Sequence, residues 1–203
     1  MNRYVEFRDP PEKRLPYCEG GKECHFPEGA VMIAFAIHLL ENGATDVDIH
    51  PDGEHGKKHD VKATLESHGF QHTKSQGKTE YGGIYQREGQ TVTVTVKSGL
   101  GDVVARVGEQ KLVAECKGGV INSRHAGQQS RLRKGLCEVV GLLMGRPLNG
   151  ERQVAVVPKT PTTLTIARRM LPRTTAARIE IALVDGEGRV TFVEPLAEVV
   201  KAT

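Results

Sequence analysis

Residues 101–119, GDVVARVGEQKLVAECKGG, limit what this chain can fold into more than any other stretch. Two arms of alternating apolar residues flank a short Gly-Glu-Gln segment, the pattern of a β-hairpin with one face buried. Asp102, Glu115 and Lys117 are threaded into it. Glu115 and Lys117 lie two residues apart on one strand, so their side chains share a face. A turn at Glu109-Gln110 pairs Gly108 with Lys111, and therefore Asp102 with Lys117 and Val104 with Glu115. On that register Asp102 joins the same face, diagonal to Glu115 at roughly 7–8 Å. Two carboxylates at that range repel unless a cation lies between them. Lys117 is one such cation. A hard divalent ion is the other, because Mg²⁺ takes one or two carboxylates together with water and phosphate oxygens. The same alternation also fits a strand whose outer face is solvated and whose charges bind nothing.

The neighbouring residues favour a ligand. Gly101 precedes Asp102 and Gly118-Gly119 follow Lys117, which is expected to leave a bulky ligand room to approach the backbone. A loop carrying Asn122, Ser123, Arg124 and His125 leads into a helix that opens with Gln128-Gln129. Gln128 stands four residues before Leu132 and continues the sheet-facing stripe into the first turn. A helix N-terminus there suits a phosphate.

Elsewhere the periodicity changes several times. Residues 1–27 are charged and rich in Pro and Gly and read as an irregular arm. EGAVMIAFAIHLLENGA reads as a buried helix over about 28–42, and HDVKATLESHGF as a second helix after a polar loop from Asp48. GGIYQREG and TVTVTVKSG read as strands joined by a turn at Gly89-Gln90. After the hairpin come a helix with the stripe Leu132, Leu136, Val139, Val140, Leu143 and Met144, a short strand RQVAVVPK, a helix TPTTLTIARRMLP and a hairpin around Asp185–Gly188. This order implies a mixed α/β sheet flanked by helices. Residues 28–203 are expected to form a single domain, with a core over 28–158 and an extension over 159–203.

Gly101-Asp102, Glu115-Cys116-Lys117 and a helical Gln128 together resemble the PD-(D/E)XK nuclease superfamily, whose pattern is an acid opening one strand, Glu-x-Lys on the next and often a Gln on the following helix. The resemblance implies a restriction-endonuclease-like core: a helix, three antiparallel strands, a helix and a further strand. It implies a Mg²⁺- or Mn²⁺-dependent endonuclease acting on DNA, in phage defence, restriction or repair. Asp102 and Glu115 would ligate the metal with the Cys116 carbonyl, and Glu28 would complete the shell, Glu41 being the weaker choice. Lys117 would position or activate the attacking water, and Gln128 would orient the water or a phosphate. Gly101 stands where the family usually has Pro. Arg124, His125, Gln129, Arg131, Arg133 and Lys134 become the expected nucleic-acid contacts. A homodimer or a larger complex would let one site per chain cut two strands. The alternative is a catalytically silent nuclease-like subunit that binds nucleic acid or protein.

Other motifs carry less. His55/His59 and His68/His72 have i, i+4 spacing but no zinc-protease Glu, and read as solvated. Cys18, Cys24 and His25 lack a second ligand pair, so unpaired thiols in the arm are expected. The 203 residues include no Trp and only 4% aromatics, which speaks against a base-stacking platform. A net charge of +3 permits a polyanion partner without demanding one. The longest apolar run, AVMIAFAIHLL, is too short to span a membrane, and the first residues lack the apolar core of a signal peptide. A cytoplasmic location is expected.

Overall fold

The computed structural model describes residues 4–51, 59–96, 99, 101–147 and 149–194. The segment EGAVMIAFAIHLLE is apolar on nearly every side, which suits a helix covered all round. It forms α1 (Glu28–Glu41), with Gly29 through Ile37 buried. Gly43, at φ 99°, turns the chain directly into β3 (Ala44–Ile49). The sequence reading has no strand here. The buried residues of β3 are Ala44, Val47 and Ile49, and a register shift between Ala44 and Val47 breaks the two-residue period.

There follow α2 (Val61–Ser67), β4 (Gln71–Ser75), β5 (Gly83–Arg87), β6 (Gln90–Val94), β7 (Val103–Val107), β8 (Gln110–Cys116), β9 (Gly119–Val120), α3 (Ala126–Met144), β10 (Arg152–Pro158), α4 (Pro161–Ala176), β11 (Ile179–Val184) and β12 (Val190–Phe192). Among the described residues nine strands form one mixed sheet, in the order β12-β11-β10-β8-β7-β3-β6-β5-β4. Strand β7 lies between β3 and β8 and pairs antiparallel with each. Strand β10 joins β8 in parallel after the α3 crossover, the connection that parallel neighbours need. Helix α1 shares a core cluster with Val47, Val103, Leu112 and Ala114. On the opposite face α3 and α4 pack Leu136, Val139, Leu143 and Ala167 over Ala155 and Ile181. The expected mixed sheet flanked by helices is therefore present. No helix among the described residues is long and apolar enough to cross a membrane.

Both hairpin turns lie one residue earlier than the sequence reading places them. Arg87 pairs with Gln90, so Glu88 and Gly89 form the turn, at φ 48° and 80°. Val107 pairs with Gln110, so the turn is Gly108-Glu109, with Gly108 at φ 60°. Glycine takes this conformation at little cost, and the primed turns that suit twisted hairpins require it. The arm is also more regular than expected. In it β1 (Glu6–Arg8) and β2 (Glu23–Phe26) pair with each other, and β2 pairs with β9. Tyr4, Cys24 and Phe26 are buried. Asn122 stitches the arm down: its Oδ1 accepts from the Cys24 N–H at 2.7 Å, and its Nδ2 donates to the Glu19 and Lys22 carbonyls. Helix α4 runs through Pro172, where the sequence reading ends it. The carbonyl that loses its partner is that of exposed Arg168, where water can serve.

Candidate active site

Strand β8 separates core from cleft by alternation. Leu112, Ala114 and Cys116 point into the α1 core, and Glu115 and Lys117 point to the α3 side. The observed ladder pairs Val103 with Ala114, and Asp102 lies one residue beyond its end. The one-residue slip on each arm preserves parity, so Asp102 still shares the face of Glu115. Its expected partner changes: Asp102 meets the Cys116 backbone N–H, which donates to Oδ2 at 2.7 Å, rather than the Lys117 side chain.

Asp102, Glu115, Cys116, Lys117, Glu28 and His50 line one cleft of about 450 Å³. Burial pushes the Asp102 carboxyl up to about 7. The Cys116 hydrogen bond and the Lys117 charge oppose this rise, while the charges of Glu115 and Glu28 add to it. Lys117 reaches Glu138 of α3 at 3.0 Å and Glu28 of α1 at 3.4 Å. Burial alone would lower its pKa, but these two carboxylates outweigh that and raise it. Lys117 is therefore an ammonium at neutral pH.

Glycines fit the cleft together, though not as expected. A Cβ on Gly101 would come within 2.7 Å of Val113 and 2.8 Å of the Ala114 oxygen. One on Gly118 would meet the Phe26 carbonyl and lie 2.6 Å from the Glu28 nitrogen, and one on Gly119 would meet Leu132. These glycines admit the chain's own backbone and side chains, not a ligand, and Gly118 brings the start of α1 against the end of β8. Gly135, inside α3, lets the Lys117 stem cross the helix: a Cβ there would lie 3.1 Å from Lys117 Cγ. A glycine in a helix interior costs about 1 kcal/mol relative to alanine, and this contact gives it a reason.

Arg146, just past the end of α3, lines the cleft and forms an ion pair with Glu115 through Nη2. The sequence reading names neither Arg146 nor Glu138. Glu138 alone has a signal in the sequence: the helical spacing from Gly135 puts Glu138 and Leu142 on the stripe that faces Lys117.

The oxygen donors of Asp102, Glu115 and Glu28, with the Cys116 backbone carbonyl, are of the hard type that Mg²⁺ and Mn²⁺ take. The high pKa of Asp102 marks a buried carboxylate whose charge a cation would relieve, so the residues fit such an ion. Among the described residues no three His, Cys, Asp or Glu side chains are already gathered about one point. The reason is visible: Glu115 is turned to Arg146, and Glu28 to Lys117. The Cys116 thiol points away and is pushed well up, first by burial and then by the nearby carboxylates, so it offers no thiolate.

Gln128 is not among the residues that line the cleft. It is buried, and its amide donates to Glu23 at 3.1 Å, where Arg14 and His25 also converge. His125 caps α3 by accepting from the Gly127 N–H and sets its ring edge-on to Tyr17. Gln129 is held between the Ser123 carbonyl and the Thr162 hydroxyl. Arg124, Arg131, Arg133 and Lys134 are exposed, and Arg131 shares the stripe of Gly135, Glu138 and Leu142. Glu41 lies exposed at the far end of α1.

The histidines are packing groups rather than solvated ones. His59 is buried against Thr64 and Glu6, His68 packs at a tilt against Tyr4, and His72 stacks on Tyr85. His55 lies outside the described residues. Cys18 and Cys24 are free, buried thiols. Comparison with family models, with curated proteins and with solved structures gives no match.

Proposed function

We propose that this cleft hydrolyses phosphodiester bonds of DNA with the help of Mg²⁺ or Mn²⁺, on a core of the restriction-endonuclease-like kind. The observation that carries the reading is that Asp102, Glu115, Lys117 and Glu28 line one cleft, beside the ends of β7 and β8 and the start of α1. The connectivity supports it. Helix α1, the antiparallel trio β3-β7-β8, helix α3 and parallel β10 follow the order of the PD-(D/E)XK pattern, with α2 and β4–β6 inserted after β3.

Asp102 and Glu115 hold the ion, with the Cys116 carbonyl and Glu28 as further ligands. A bound divalent ion supplies Lewis acidity for a phosphate oxygen and for a water. Lys117 stays protonated. Its part is to orient the water and stabilise charge at phosphorus rather than to take a proton. Arg131, Lys134 and Arg124 offer exposed charge for the polyanion beyond the cleft. One cleft per chain cuts one strand, so duplex scission calls for a homodimer or a partner subunit.

A catalytically silent binding subunit is the second reading. It draws on the ion pairs of Arg146 with Glu115 and of Lys117 with Glu28, which neutralise the cleft from within. Incubating the purified protein with plasmid, linear and single-stranded DNA in Mg²⁺, Mn²⁺ or EDTA separates the two. Metal-dependent, EDTA-sensitive cleavage is expected, and binding without cleavage under every condition favours the silent subunit.

A further inference from the structure

The geometry points to Arg146 as the residue that occupies the cation position before the metal arrives and then holds the substrate phosphate. The inference rests on the metal-dependent reading of the same cleft. Glu115 is 7% exposed at its side chain, and the Arg146 guanidinium satisfies its Oε1. A divalent ion held by Asp102 and Glu115 needs that oxygen. Two cations sharing one buried carboxylate repel, so metal and guanidinium compete.

The backbone limits where Arg146 goes when displaced. Its N–H donates to the Leu143 carbonyl at 3.1 Å, and the Gly145 N–H donates to Gly141 at 3.1 Å, so the residue is fastened to the end of α3. Its side chain lines the cleft wall together with Leu142. Its Nε is already buried without a hydrogen bond. A guanidinium presents five donors in a planar fork, which matches a phosphate in two-point contact. A cleft with its carboxylates committed to a metal leaves the phosphodiester as the anion within reach. Arg146 thus exchanges a carboxylate for a phosphate, and the exchange makes metal binding and substrate binding depend on one another.

Calorimetric titration of the full chain with Mn²⁺ tests the first half. Arg146→Ala is expected to bind Mn²⁺ about tenfold more tightly than wild type. Arg146→Gln keeps a donor for Glu115 without the charge, guards against misfolding, and is expected to shift in the same direction. The second half is read by binding of a short DNA duplex in Ca²⁺, where both variants are expected to lose about tenfold. Mn²⁺ affinity that is unchanged or weaker in both variants, with wild type binding normally, overturns the role of Arg146 alone. Absence of Mn²⁺ binding by wild type overturns the metal reading and this inference with it.

Discussion

The Cys116 backbone N–H donates to Asp102 Oδ2 at 2.7 Å, so the end of β8 holds the carboxylate that opens β7. That bond fixes the Asp102 carboxylate on the face from which Glu115 and Lys117 project. It also lowers the carboxyl pKa, yet burial and the neighbouring carboxylates win and leave it at about 7.

A divalent ion must therefore displace a proton from Asp102 near neutrality. Metal affinity is expected to rise with pH through about 7 and level off above it, with up to one proton released per ion bound. Titrations at pH 7 in buffers of different ionisation enthalpy measure this release. Equal apparent enthalpies in all buffers would contradict it.

Stability without metal should show the same group. A carboxyl whose folded pKa is raised stabilises the fold below its unfolded value and loses that contribution as pH climbs through the folded value. Unfolding free energy is expected to fall between pH 4 and 8, with an Asp102 contribution on the order of 2–4 kcal/mol. Asp102→Asn should flatten the slope and leave the protein more stable than wild type at pH 8. Denaturant titrations across that range check both.

Gln128 separates architecture from chemistry. Gln128→Ala removes a buried donor to Glu23, which keeps Arg14 and His25. A loss of about 1–3 kcal/mol of stability is expected, with cleavage per folded molecule within a few-fold of wild type. A hundredfold loss of cleavage at unchanged stability would return Gln128 to the catalytic group.

The hairpin carried most of what the sequence could show. Period-two alternation set the shared face of Glu115 and Lys117, and parity kept Asp102 on that face although the turn moved to Gly108-Glu109. Strand β3 stayed hidden because its bulge breaks the alternation. The neighbourhood of Gln128 was hidden for a different reason. Its partner Glu23 lies far away in sequence, in an arm whose Pro and Gly content reads as irregular. Arg146 follows a helix end, where no periodicity marks a residue as facing the site. Gly118 read as room for a ligand, whereas the group that approaches it is the start of α1, which is distant in sequence.

Lys117 gives the most direct test of the central claim. Its ammonium lies between Glu138 and Glu28 rather than on a proposed metal oxygen of Asp102 or Glu115. Plasmid cleavage in Mg²⁺ by Lys117→Ala, measured beside its Mn²⁺ affinity and thermal midpoint, isolates its part in the chemistry. The account predicts a fall in cleavage of roughly a hundredfold, with a thermal midpoint close to that of wild type and metal affinity no weaker than wild type, since the substitution also frees Glu28. Cleavage by Lys117→Ala at the wild-type rate would contradict it.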